Sequence, residues 1–313
     1  MSTELIEFYN WFLALGWRAL DFLVKFVTSP SIQQDYFKLG LILAITFLLE
    51  VAARKNWRFR YGSRNFRIDL LYFAFYYGGV YHLFMWTVMY KAMIAWTTVH
   101  APWLQMNLLS GMSPVMQVVV MLLVSDFVGY WSHRWRHSSK FLWNFHSIHH
   151  SQTNLTIVSN YRFHVVDETL LRLWLFIPFQ ILGTGVAIWL WLDLILAWIL
   201  YLQHSEWKWT YGRLGFIFVS PAFHRKHHSK DERLQNSNYS MLFTFWDDLF
   251  GTADRNSPIP AEHGIEGNPV PDTWVGQLIY PFAETWRDIR ASLDARWPSN
   301  RKVAAAPPVE PAE

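Results

Sequence analysis

Two H-x-x-H-H triplets constrain this chain more than any other feature. They are His146, His149 and His150, and, about eighty residues later, His224, His227 and His228. An H-x-x-x-H pair, His133 and His137, precedes the first triplet. On a helix, residues four apart share one face, and the spacing i, i+3, i+4 also converges on one face. Neutral imidazole is the commonest metal ligand and suits iron, zinc, copper and nickel. Eight imidazoles are too many for one ion with four or six ligands, and they suit two ions held close together. The chain has no cysteine, which excludes iron–sulfur clusters and thiolate zinc sites. Position 134 is Arg, so H-R-W-R-H lacks the Glu that a zinc protease uses as base. The bland alternative is a basic surface helix whose histidines cap helices or bind acidic groups. It would serve for a lone histidine and does not account for two repeated triplets.

The fold must bring these motifs to one place. Of the 313 residues, 52% are hydrophobic and 18% aromatic, with 19 Trp. Only 16% are charged, against roughly a quarter in soluble domains. Trp and Tyr at this density belong to a chain that meets membrane interfaces. A net charge of +3 gives no nucleic-acid signal. Residues 1–10 carry Glu4 and Glu7 and no basic stretch, so a cleavable signal peptide is not expected.

The apolar runs predict an all-α integral membrane protein of about four transmembrane helices, including a helical hairpin, with a cytoplasmic histidine-rich cap. Residues 6–27 form an apolar run with Arg18, Asp21 and Lys25 on one stripe, which favours a helix in the interface or packed on a neighbour. Residues 36–53 are long enough to cross a bilayer. The loop 53–67 holds Arg54, Lys55, Arg58, Arg60, Arg64 and Arg67 with no acid, which places it in the cytoplasm. Residues 68–96 leave the cytoplasm, with His82 isolated among them. The connection 97–113, which contains His100, carries no charge and lies on the other side. Residues 114–132 return and deliver His133 and His137 at the cytoplasmic end. Asp126, two turns before His133, either orients a ligand imidazole or is a buried partner of Arg134 or Arg136.

Residues 169–203 are apolar apart from Gly183-Thr184-Gly185 and read as a hairpin turning at those glycines. Both hairpin ends are then cytoplasmic, which sets the two triplets on one side. Asp193 within it is a weaker candidate for a polar group on a substrate path. Residues 204–297 read as a cytoplasmic cap. Within them, 274–297 resemble an amphipathic helix lying on the membrane surface or on the cap. The expected division is 1–113 for the first membrane helices, 114–255 for the catalytic region, 256–300 for the C-terminal cap and helix, and 301–313 for a disordered tail.

The pieces D-F-V-G-Y-W-S-H-R-W-R-H, L-W-N-F-H-S-I-H-H-S, S-P-A-F-H-R-K-H-H-S and N-Y-S-M-L-F-T-F-W-D-D-L-F-G-T together resemble the fatty acid hydroxylase (sterol desaturase) superfamily, over about residues 115–255. The resemblance implies two non-haem irons that activate O2 against an unactivated C–H bond. It implies as ligands His133, His137, His146, His149, His150, His224, His227 and His228. It adds His204, in Y-L-Q-H-S-E-W, which matches a further family histidine. His164, in N-Y-R-F-H-V-V-D-E, is expected just outside the ligand set, with Glu168 four residues on and Asn238 as a further neighbour. The family often has Pro after the histidine at 164, where this chain has Val165.

No G-x-G-x-x-G occurs, so neither flavin nor nicotinamide binding is indicated, and electrons must come from a separate ferredoxin- or haem-type donor and its reductase. The basic loop and the Arg and Lys of the histidine segments suit an acidic donor or lipid headgroups equally. Zinc can substitute for iron on imidazole ligands. The substrate expected is a lipid within the bilayer: a fatty acyl, aminolipid, alkylglycerol or sphingoid chain. The alternatives are a sterol or carotenoid-type desaturase or oxidase using the same site, and a non-catalytic membrane metal-binding protein. The location expected is a multi-pass membrane protein of the inner membrane in a bacterium or the endoplasmic reticulum in a eukaryote, with its active site on the cytoplasmic side.

Overall fold

The computed structural model describes residues 61–77, 81, 85–183 and 186–296, with isolated positions between 21 and 52. The apolar runs 6–27 and 36–53, His82, and the tail 301–313 therefore lie wholly or mainly outside the described residues. Among those described, every regular element is helical, and pairing between extended segments is limited to the isolated bridges Phe218–Phe243 and Ser229–His263.

In chain order the helices are α1 (Arg64–Tyr77), α2 (Lys91–His100), α3 (Pro114–Ser138), α4 (Lys140–His150), α5 (Val165–Leu182), α6 (Val186–His204), α7 (Pro221–His227), α8 (Glu232–Gln235), α9 (Phe245–Leu249) and α10 (Trp274–Arg296). A π-helical turn, Met85–Tyr90, leads into α2, and a 3₁₀ turn, Ile157–Tyr161, precedes α5. The basic 53–67 stretch is not loop throughout. Its last part, from Arg64, is the first turn of α1.

Local sequence explains the main helix ends. Ser113 caps α3 by accepting from the Met116 N–H, and Pro114 fills the first helical position, where no donor is needed. The helix runs past residue 132 because nothing from Ser132 to Ser138 breaks it, and it ends at Ser139. That serine then caps α4 through the Leu142 N–H. The pair His133 and His137 and the triplet of α4 are thus separated by a single residue's break in helix direction. Ser220 and Pro221 start α7 in the same way.

The apolar run 169–203 divides where its glycines sit. Gly183 closes α5 in the left-handed conformation, at φ 68°. A Cβ at that position would strike Asn107, so the close approach of the 107–109 turn also requires glycine. That turn is tied to the end of α5 by Leu108 N–H to Ile181 O at 3.3 Å and Leu109 N–H to Leu182 O at 3.0 Å.

Helix α3 is the central strut, with α4, α5 and α6 all packed on it. One apolar cluster of Leu109, Met121, Leu175, Phe179 and Leu192 joins α3, α5 and α6. Another, containing Ile68, Tyr72, Tyr76, Phe176 and Ile148, joins α1 and α5 to the underside of α4. Among the described residues α3 is the helix long and apolar enough to cross a membrane; its 25 residues extend about 37 Å at 1.5 Å each.

Candidate metal centre

Nine histidines meet where α3, α4, α6 and α7 come together. They form two groups. His133, His137, His146, His150 and His227 make the first, and His149, His204, His224 and His228 the second. Within each group the candidate ligand nitrogens all lie within 4.8 Å of one another. Eight of the nine side chains are buried, and His137 is partly so.

The triplets are split between the groups, contrary to the expectation that each converges on one face. On α4, His146 and His150 enter the first group and His149 the second. From α7, His224 and His228 enter the second group and His227 the first. Helix geometry explains this. Residues four apart differ by only about 40° around the axis, whereas adjacent residues differ by about 100°. The i and i+4 members therefore aim together and the i+3 member aims at the neighbouring group.

Hydrogen bonds fix the protons of four rings. The Nδ1–H of His133 donates to the Tyr239 carbonyl at 2.8 Å, that of His227 to the Ser237 carbonyl at 2.8 Å, and that of His204 to the Leu200 carbonyl at 2.8 Å. His146 Nδ1–H donates to Asp167 Oδ2 at 2.9 Å. A carbonyl oxygen can only accept, so the proton sits on Nδ1 and each Nε2 carries a free lone pair. The Nε2 atoms of His133, His146 and His227 are buried without a hydrogen-bond partner. In the second group the Nε2 atoms form a chain: His149 to His204 at 3.2 Å, His204 to His224 at 3.1 Å, and His224 to His228 at 3.1 Å.

Burial keeps these rings neutral. It is the largest effect holding His146, His149, His150, His224 and His228 below the ordinary histidine range, and it pushes His227 down to about 3. Converging unprotonated nitrogens in a dry site repel one another and lack partners, at a cost of about 1–3 kcal/mol for each unsatisfied group. A cation in each group satisfies them together. The donors are all imidazole, and in His133, His146, His204 and His227 the outward N–H is held by a carbonyl or carboxylate oxygen, as is usual for metal ligands.

Asp167 is the supporting residue that the sequence reading missed. Its Oδ2 accepts from His146 and its Oδ1 takes Arg136 Nε at 2.7 Å, while Arg136 also donates to the Asp167 carbonyl at 3.0 Å. The signal was ambiguous, because Asp167 and Glu168 together read as ordinary acids in the first turn of a helix. Glu168, the one selected, pairs instead with Arg172 at 2.8 Å.

The other expected neighbours lie elsewhere than the sequence suggested. Asp126 meets neither an imidazole nor Arg134 or Arg136. Its carboxylate accepts from the N–H groups of Leu242 at 2.7 Å and Phe243 at 2.8 Å and from the Trp246 indole at 3.0 Å, fixing the 241–246 loop on α3. His164 caps α5 by accepting from Val166 N–H at 3.2 Å, and its Nε2–H donates to the Leu278 carbonyl of α10 at 3.1 Å. Val165 in place of the family's proline leaves α5 to start there normally. Asn238 donates to the Phe223 carbonyl at 3.1 Å and accepts from Asp254 N–H at 2.7 Å, bracing α7. Asp193 falls on α6, and its side chain is outside those described. His100, exposed at the end of α2, and His263, bridged to Ser229, join neither group.

A buried ion pair closes the other side. Arg162 Nε meets Asp69 Oδ1 at 2.5 Å, and Ser159 and Gln152 donate to the same carboxylate. This ties α1 to the turn before α5. The adjacent Phe163 lies flat on His149, with ring centroids 4.1 Å apart and planes 9° apart.

A helical frame presenting nine imidazoles, eight of them buried, in two adjacent groups is compatible with a histidine-rich metal centre. Residues 118–252, which contain all nine, match the model of the fatty acid hydroxylase family. Over 174 residues the chain is 37% identical to an ornithine lipid hydroxylase of Rhizobium tropici, covering 55% of this chain and 52% of that protein. It is 27% identical over 172 residues to an alkylglycerol monooxygenase of Caenorhabditis elegans, covering 53% and 32%, and 30% identical over 146 residues to methylsterol monooxygenase 1-3 of Arabidopsis thaliana, covering 46% and 50%. The chain spans about half the length, or less, of these relatives. No solved structure matches it.

Proposed function

We propose that the chain is a membrane di-iron oxidoreductase that hydroxylates a lipid, with His133, His137, His146, His150 and His227 holding one iron and His149, His204, His224 and His228 the other. The observation that carries this reading is the set of converging imidazole nitrogens, with all five Nε2 atoms of the first group lacking a hydrogen-bond partner. Two irons, when bound, would supply activation of O2 toward an unactivated C–H bond. One oxygen atom then enters the C–H bond and the other leaves as water, with two electrons and two protons drawn from an external donor and reductase. The chain's residues hold the imidazoles neutral and oriented, and Trp143, Phe163 and the apolar layer under α4 keep water away from them.

Helix α3 and the α5–α6 hairpin are read as crossing or entering the bilayer, with the centre in a cap on the cytoplasmic side. The likeness to the ornithine lipid hydroxylase makes an aminolipid the first substrate to test. Comparison of lipids from cells with and without the protein is the test. A product heavier by one oxygen supports hydroxylation. A product lighter by two hydrogens moves the assignment to desaturation, and an unchanged lipid profile with metal-bound protein refutes catalysis on cellular lipids.

A further inference from the structure

The last long helix leaves an apolar face uncovered. On α10, Val275, Ile279, Phe282, Trp286, Ile289 and Leu293 follow one another at spacings of four, three, four, three and four, and each is 47 to 60% exposed. Such spacing lines one side of a helix. The opposite side is bound to the protein. Gln277 and Pro281 are buried, Asp288 takes Lys140 at 2.6 Å and Asn144 Nδ2 at 3.0 Å, and Asn144 also donates to Thr285 at 3.3 Å. Both partners are on α4, the helix that carries His146, His149 and His150.

We infer that this stripe lies in the surface of a lipid bilayer and sets the depth at which the histidine centre sits. Three observations select a bilayer over a second copy of the chain. The stripe runs on to the exposed Phe141 of α4, the helix that follows α3: Phe282 touches Phe145, and Phe145 touches Phe141, each at 5.4 Å between ring centroids. The helix is also bonded, through the Leu278 carbonyl and His164, to the start of the apolar α5, so it lies level with the hairpin's entry. Finally, bulky Phe282 and Trp286 at the middle of the stripe suit the headgroup boundary better than the interdigitated seam of a helix pair. Arg287, Arg290 and Arg296 balance Glu284, Asp288 and Asp294. Docking is therefore carried by apolar insertion, and salt alters it little.

The inference rests on the reading that α3 lies in the bilayer, and the test separates the two. The chain has no cysteine, so single cysteines in the full-length protein, reconstituted in phosphatidylcholine vesicles, take a spin label at defined sites. Labels at Ile279→Cys and Ile289→Cys are expected to be more accessible to dissolved oxygen than to a water-soluble nickel chelate, with the preference reversed at Arg287→Cys. Leu123→Cys, exposed on α3, is the reference for lipid. All four positions are at the surface, so the labelled chains retain the fold. If 279 and 289 behave like 287 while 123 reports lipid, the stripe stands clear of the bilayer and the inference is overturned. If 123 itself reports water, the membrane reading of α3 falls first. Spin–spin broadening at 279 and 289 identifies a second copy as the occupant and also overturns the inference.

Discussion

Asp167 holds His146 and Arg136 at once, one carboxylate oxygen on the imidazole Nδ1–H at 2.9 Å and the other on the guanidinium at 2.7 Å, and all three side chains are buried. This carboxylate sets which nitrogen of His146 faces the first group, and it neutralises a cation that would otherwise lie uncompensated beside the histidines.

Replacing Asp167 by Ala is expected to weaken metal retention by the first group about 10- to 100-fold, the usual loss for an outer partner of a ligand imidazole. Leaving Arg136 buried and unpaired adds a stability loss of about 3–5 kcal/mol. Asp167→Asn keeps an acceptor for His146 and is expected to lie between. Chelator titration followed by metal analysis reads the first effect and thermal unfolding the second. Equal metal retention in wild type and Asp167→Ala would remove Asp167 from the site.

The native protein is expected to bind two metal ions. His149→Ala and His227→Ala, although each neighbours a ligand of the other group, should lower metal content at the second and first group respectively and abolish product formation. His100→Ala and His263→Ala should retain substantial activity. A content of one ion that His224→Ala leaves unchanged argues against two ions.

Acid should unfold or empty the centre early. The folded-state values of His146, His149, His150, His224, His227 and His228 are lowered by burial, His227 to about 3, so their stabilising effect is fully present above the unfolded value of 6.5. It is lost as pH falls from 6.5 toward the folded values, because the unfolded chain takes up protons that the native rings refuse. Metal release and loss of helicity are expected to begin below pH 6.5. Both remaining flat to pH 4 would contradict a buried neutral cluster.

Asp126→Ala is expected to act through the fold. It leaves the N–H groups of Leu242 and Phe243 and the Trp246 indole without their acceptor, each worth about 1–3 kcal/mol if it stays dry. Reduced thermal stability with unchanged metal affinity per folded molecule is the outcome to look for.

Much of the centre was legible in the sequence because histidine spacing on helices is a strong signal. The nine residues that the structure gathers are those that the motifs and the family resemblance named together. What could not be read was their partition, since it depends on how α4 and α7 are rotated against each other. The supports were also hidden. Tyr239, Ser237 and Leu200 act through backbone carbonyls, which any residue supplies, and Asp167 looked like a helix-start acid. Asp126 was misplaced because an acid in an apolar run suggests a charged or metal-linked partner, whereas here it terminates a loop. The division at Gly183 was visible because a left-handed residue against a close backbone leaves few alternatives to glycine.

The exchange of His149 and His227 between the groups means that α4 and the α7 segment each pass through both sites. Filling either group therefore pins both helices and prearranges most donors of the other. With two ions bound as proposed, their uptake would be cooperative, half-filled molecules would stay scarce during assembly, and a cell short of metal would hold a mixture of complete and empty protein rather than a population with one ion each.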